Sequence, residues 1–189
     1  IACFGSRDRF LDRLEHAMRM SEAVGFKAPH DRHETITFDF GNEPALAVPY
    51  LFHLAGEPAR TQHWIARIRD VLRSGNTPLD GFGGDEDQGM MGALDVLTAL
   101  GLFTVDGGCE PEPTLLLGRC AFRGFTLRGP ALEPRLVVVN HAPGDVITHA
   151  TCGGRPLPEL RVTRAELLQA GRLDLFAFGT DNRVDAGGQ

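Results

Sequence analysis

Through the first hundred positions, apolar residues recur at three- and four-residue spacing. After Leu102 they gather into short runs broken by turn residues. The first rhythm predicts helices and the second predicts strands. Ser6 caps a helix over residues 7–24 whose apolar face carries Phe10, Leu14, Ala17 and Met18, and Gly25 stops it. Residues 28–37 are polar and read as a loop. His30 and His33 within it lack the HExxH spacing, so they read as surface histidines. Pro44 suits the first position of a second helix, because its missing N–H has no intrahelical partner there. That helix reaches Ala55 and stops at Gly56, and Pro49 kinks or divides it. Pro58 opens a third, with Trp64, Ile65, Ile68, Val71 and Leu72 inward and Gly75 at its end. Trp64, the only tryptophan, falls on that apolar face and reads as core. A loop over residues 76–84 and an acidic stretch lead to a fourth helix, marked by Met90, Met91, Leu94, Leu97 and Leu100 and ended by Gly101.

The strand-like runs are residues 115–117, 122–127, 135–139, 145–147 and 173–178, separated by Gly-Pro, Ala-Pro-Gly and Gly-Gly. They predict an antiparallel β region. One short helix interrupts it, announced by a Thr163-Arg164-Ala165-Glu166 capping box and closed by Gly171. The expected class is therefore α+β. A helical segment over residues 1–104 precedes an antiparallel β region over 105–182, with a tail over 183–189. The join is expected near residues 104–108.

Length and charge narrow the function. At 189 residues and 42% hydrophobic content the chain can bury one sizeable core or two small ones. Its net charge of −6 argues against nucleic acid as a partner, while the use of arginine almost throughout, with Lys27 the only lysine, reads as genome composition and not as function. No apolar run approaches the roughly 18 residues that a membrane helix needs. Ile1 opens the sequence without a start methionine or signal pattern, so the chain reads as an excerpt from something longer. Cys3, Cys109, Cys120 and Cys152 are too far apart to form a metal-type pair and are expected to be buried thiols.

The chemistry-bearing stretch is Gly81-Phe82-Gly83-Gly84-Asp85-Glu86-Asp87-Gln88-Gly89. Three adjacent carboxylates repel one another and are tolerated in water or near positive charge. Glycines around them let a partner approach the main chain. The bland reading is a charge-balanced helix start, since the macrodipole favours acids there.

Several pieces fall in one order: Gly41-Asn42-Glu43-Pro44, Pro49-Tyr50-Leu51-Phe52, Ala55-Gly56-Glu57-Pro58, Thr61-Gln62, the run from Gly84 through Met91, and Ala99-Leu100-Gly101-Leu102-Phe103. Together they resemble the C-terminal part of the family-92 glycoside hydrolases, calcium-dependent exo-acting α-mannosidases. Leu117-Gly118, Phe122 and the Gly153-Gly154-Arg155-Pro156 turn look like that family's terminal strands.

The resemblance implies a partial α/α toroid of paired helices followed by antiparallel β-sandwich-type strands. It implies an inverting enzyme whose general base lies in the acidic stretch: Asp87 first and Asp85 second. In an extended loop alternate residues share a side, so those two face together while Glu86 turns aside. Glu43 and Glu86 are counted among the substrate-binding residues. Asn42 is carried over as a ligand of calcium, a cation that prefers oxygen donors. By the same resemblance the ion helps distort the mannose ring. The competing reading of Asn42 and Glu43 is helix capping before Pro44. The general acid lies upstream of Ile1, so the partners are a mannose-containing glycan and the missing N-terminal part of the same enzyme. Secretion or a periplasmic location follows from the resemblance alone. An incomplete ring is expected to leave the face of Phe10, Leu14 and Met18 uncovered. Two positions depart from the family pattern: Phe40-Gly41 stands where many α-1,2-specific members carry His-Glu, and Met90 stands where glutamine is usual. The rival function is a non-catalytic carbohydrate-binding or structural fragment.

Overall fold

The computed structural model describes residues 1–28, 36–72, 88–107, 109–129 and 136–177. His30, His33 and Gly75 lie outside the described residues. Helix α1 spans Arg7–Ala23, and the Ser6 hydroxyl accepts the Arg9 N–H at 3.2 Å as its cap. The helix ends in a Schellman turn: Gly25 N–H reaches the Glu22 carbonyl and Phe26 N–H reaches that of Ser21. The turn drives Phe26 to a left-handed φ of 62°, and its ring is fully buried. It meets Phe40 and Trp64 edge-on, with ring centroids 5.8 and 6.3 Å away.

A single 3-10 turn at Glu43–Ala45 precedes the short helix α2, Tyr50–Leu54. Pro49 stands as the N-cap of α2, so the proline divides the second predicted helix in two. Helix α3 spans Pro58–Leu72 and buries Trp64, Ile68 and Leu72 against Leu11, Leu14, Met18 and Phe52. Leu14 and Met18 are thus covered within the chain, contrary to the expectation that an incomplete ring would bare them. Helix α4, Met90–Leu100, is rotated from its expected setting. Met91 and Thr98 are buried while Met90 and Leu97 are exposed, because α4 meets α3 along the line of Met91, Leu94 and Thr98. Gly101 ends α4 at φ 72°, and a Cβ there would stand 2.6 Å from the Gly118 carbonyl oxygen, so only glycine fits.

The strands are β1 (Leu102–Phe103), β2 (Thr114–Leu117), β3 (Gly124–Leu127), β4 (Leu136–Asn140), β5 (Ile147–Cys152), β6 (Arg155–Pro156), β7 (Arg161–Thr163) and β8 (Arg172–Ala177). Helix α5, Arg164–Ala170, sits between the last two with its capping box formed as expected. One sheet has the order β1-β2-β7 and the other β3-β4-β8-β5-β6. The second sheet is mixed, which corrects the purely antiparallel expectation: β8 runs parallel to β4 and antiparallel to β5. Geometry forces this. β4 and β5 run in opposite directions, so a strand inserted between them must parallel one. Both sheets feed one apolar core that includes Leu102, Leu117, Val138, Ile147, Val162, Leu173 and Leu175. Cys120 and Cys152 are buried as expected, but Cys3 and Cys109 are exposed.

Among the described residues, α2 and α3 are joined to the β region by contacts of Gln62, Tyr50 and His53. The Gln62 side chain on α3 donates to the Ile147 carbonyl at 2.9 Å and accepts the Ile147 N–H at 2.8 Å, both buried. The Tyr50 ring stacks on Phe103 with centroids 3.8 Å apart. The His53 ring donates from Nε2 to the Glu159 carbonyl at 2.8 Å, which fixes the Nε2–H tautomer when the ring is neutral.

This seam can be tested at two of its residues. Gln62→Leu leaves both backbone groups of Ile147 unmatched in the interior, at about 1–3 kcal/mol each. A loss of about 2–5 kcal/mol is expected on that basis, read as a lower urea midpoint at unchanged slope. An unshifted midpoint would refute the role given to Gln62. Burial holds His53 below the ordinary imidazole value, opposed in part by its bond to Glu159. The folded state therefore disfavours the imidazolium. The associated stability is present above about pH 6.5 and is lost as pH falls through the lowered folded value. Melting temperature should drop between pH 7 and 5, and His53→Gln should flatten that drop; identical slopes would contradict the assignment.

Candidate functional site

The Asn42-Glu43-Pro44 turn is held from behind. Ser21, buried on α1, donates to the Ala17 carbonyl and accepts the Phe38 N–H at 2.9 Å. Phe40 N–H pairs with the Phe26 carbonyl at 2.8 Å. The Asp39 carboxylate accepts the Gly41 N–H at 2.8 Å and the Ala28 N–H at 3.3 Å, shaping the approach to Asn42. Glu43 and Pro44 are exposed and Asn42 is half-buried. Asn42 occupies the N-cap of the 3-10 turn, but its side chain makes no capping bond. The capping explanation therefore does not hold for that amide, which the cap leaves unused next to Glu43 in the chain.

Asp85, Glu86 and Asp87 lie outside the described residues. Directly after them, Gln88 and Gly89 both take left-handed backbone, at φ 58° and 92°, and Gly89 is the N-cap of α4 without a side-chain cap bond. The acids therefore precede the N-cap and do not fill it. A non-glycine residue in this conformation costs about 1–2 kcal/mol, and such strain gathers at functional turns.

Among the described residues no group of three or more His, Cys, Asp or Glu side chains could hold a metal. Asn42 offers an amide oxygen that the cap does not use, a donor type that suits a hard cation such as calcium.

The structure adds a cavity that sequence reasoning missed. About 440 Å³ opens between α3, the end of α4 and strands β1 and β2, with Tyr50, Gln62, Arg69, Asp70 and Arg119 in its lining. Only 6% of Tyr50 is exposed, and burial pushes its phenol far above the ordinary value, opposed weakly by Arg69. Tyr50 is the only tyrosine in the chain, the one sequence signal that could have drawn notice to it.

A further polar cluster lies on β8. Arg172 clamps the Asp174 carboxylate through two bonds of 2.8 and 2.7 Å, and His141 stands 3.2 Å away. Burial alone would raise the Asp174 carboxyl, but Arg172 and His141 outweigh it and hold it below the usual range. Phe176 on the same strand lies stacked between the rings of His141 and His149.

The described residues thus form a helical unit that carries an Asn-Glu-Pro turn, followed by two sheets. The chain belongs to glycosyl hydrolase family 92, whose catalytic domain matches residues 1–177. A protein of Arthroderma benhamiae named as an uncharacterized secreted glycosidase is 29% identical over 108 residues, which is 57% of this chain and 12% of that protein. A family-92 inverting mannosidase of Bacteroides thetaiotaomicron superposes with a TM-score of 0.68 at 26% identity, over 91% of this chain and 24% of its own. A family-92 α-mannosidase of the same organism, solved with mannoimidazole, gives a TM-score of 0.68 at 21% identity, over 90% of this chain and 22% of its own. The chain thus spans about a quarter or less of the length of these relatives. No helix among the described residues is long and apolar enough to cross a membrane.

Proposed function

We propose that this chain is the base-bearing portion of an inverting exo-α-mannosidase that hydrolyses α-mannosides of glycans. The observation that carries the reading is the family match over residues 1–177, a range that includes the acidic stretch and the Asn-Glu-Pro turn. In this reading α1 to α4 are the last part of an α/α toroid, and the two sheets are a sandwich-type region behind it. The boundaries proposed are residues 1–104, 105–182 and a tail over 183–189.

Inversion needs a carboxylic acid for the leaving oxygen and a carboxylate for the attacking water, about 6.5–9.5 Å apart. Asp87 takes the proton from that water as its oxygen bonds to the anomeric carbon. The bond from that carbon to the leaving oxygen breaks, and an acid from the rest of the protein protonates that oxygen, which departs as a hydroxyl. Asp85 orients the water. Glu43 holds the terminal sugar, and Glu86, turned aside from the attacking water, is assigned to substrate binding and not to the chemical step. Asn42 would be a calcium ligand; when bound, the ion supplies fixed positive charge at the sugar hydroxyls. The relatives' names support a secreted glycosidase acting on mannosides, and a secreted or periplasmic location is proposed with it.

Kinetics of single variants in the complete enzyme test this. Asp87→Asn keeps the shape and removes the proton acceptor, so kcat should fall at least about 10²-fold with substrate binding retained. Asp85→Asn should cost less. Glu86→Gln should act on KM more than on kcat. Full activity in Asp87→Asn would sink the assignment, and equal loss of stability in all three would favour a non-catalytic carbohydrate-binding or structural fragment.

A simpler measurement uses the 189-residue chain alone. With the acid elsewhere, no appreciable turnover of an aryl α-mannoside is expected. Measurable release of the phenol by the purified chain would refute a split of acid and base.

A further inference from the structure

Three polar groups in the seam cavity are left without partners among the described residues. The Tyr50 hydroxyl is buried and forms no hydrogen bond with any described residue, although its ring is fixed on Phe103. A buried phenol normally finds a partner, so an unmatched one points to a ligand or water. Asp70 is exposed at the same cavity and is in no ion pair with a described residue. Arg119 lines the cavity beside Gly144 and is also unpaired among the described residues.

The charges choose the ligand. Arg69 lines the cavity too, but its Nε is committed to the Asp95 carboxylate at 3.0 Å. The charged and phenolic lining groups without any partner among the described residues are one carboxylate, one guanidinium and one phenol. An anion would face Asp70, and a cation would face Arg119 with Arg69 behind it. A neutral ring bearing several hydroxyls satisfies all three, donating to Asp70, accepting from Arg119 and doing either with Tyr50. Ile65 and Leu116 offer apolar wall for its C–H faces. A volume of about 440 Å³ lies within the range of small-molecule sites, roughly 300–1,000 Å³.

We propose that this cavity, between α3, the end of α4 and strands β1 and β2, is a monosaccharide-sized binding site whose polar contacts are Tyr50, Asp70 and Arg119. The choice of mannose as the sugar rests on the function proposed above; the site itself does not.

Because Tyr50 is the sole tyrosine, its ring gives a single NMR signal in the chain labelled at tyrosine. Titration with methyl α-D-mannopyranoside should shift that signal saturably. Arg119→Ala and Asp70→Asn, read at the same signal, should each weaken binding by about 10-fold, as expected for bonds to charged groups. Tyr50→Phe, read by calorimetry, should weaken it by about 2- to 10-fold, and it should leave the melting temperature unchanged or raised because the hydroxyl has no internal partner. The proposal is overturned if the signal does not move, if all three variants bind as the wild type does, or if inorganic phosphate binds in place of the mannoside. It is also overturned if Glu43→Gln abolishes the shift, since the sugar would then sit at the Asn-Glu-Pro turn. Full activity in Asp87→Asn with the Tyr50 shift intact would remove the catalytic assignment and leave this site standing.

Discussion

The pairing of one glutamine side chain with one strand residue ties the molecule together. The Gln62 amide presents to Ile147 the same donor and acceptor that a neighbouring strand would, so helix α3 completes the hydrogen bonding at the start of β5. Two parallel bonds fix orientation as well as distance, which one bond would not. The helical core around Trp64 and the sheet core around Leu173 are separate clusters, and Gln62 reaches from the former to the latter. The cavity depends on the same contact, since its walls come from both sides of the seam. His53 on α2 and the stack of Tyr50 on Phe103 reinforce the arrangement without replacing it.

The Asn-Glu-Pro turn is presented by a scaffold that begins well before it in the chain. The Schellman turn after α1 buries Phe26, Phe26 pairs with Phe40, and Asp39 ties the next residues to Ala28 and Gly41. An exposed polar turn is thereby carried on a rigid apolar base. That is the usual economy of functional loops, where precision comes from what lies beneath them. The Asn42 amide fits this arrangement, because the cap does not use it.

Helix starts and stops were readable because they rest on local chemistry. Ser6, Pro49, Gly101 and the Thr163–Glu166 box each act within a few residues of their own position. The setting of α4 was not readable, since apolar residues crowd its surface on all sides and only contact with α3 selects Met91 over Met90. Strand order was hidden for a related reason: apolar runs say that strands exist, not which ones meet. Asn42 and Glu43 were found through a family pattern, and the structure adds an amide that the cap leaves unused. Tyr50, Asp70 and Arg119 belong to three segments far apart in sequence, so nothing short of the fold brings them to one cavity.

The position of β8 bears on how the chain folds. It is the central strand of the five-stranded sheet, yet it is made last of the eight described strands. Until it arrives, β4 and β5 flank an empty slot, each with a row of unpaired backbone groups. Closing that slot joins β8 to β4, which lies far earlier in the chain, so the decisive pairing is long-range and intrinsically slow. The Arg172–Asp174 clamp and the stack of His141, Phe176 and His149 are all on or against that strand. The stack forms only when it docks. During synthesis the β region therefore passes through a stage with two open edges, the stage at which a chaperone or a wrong strand would find it most easily.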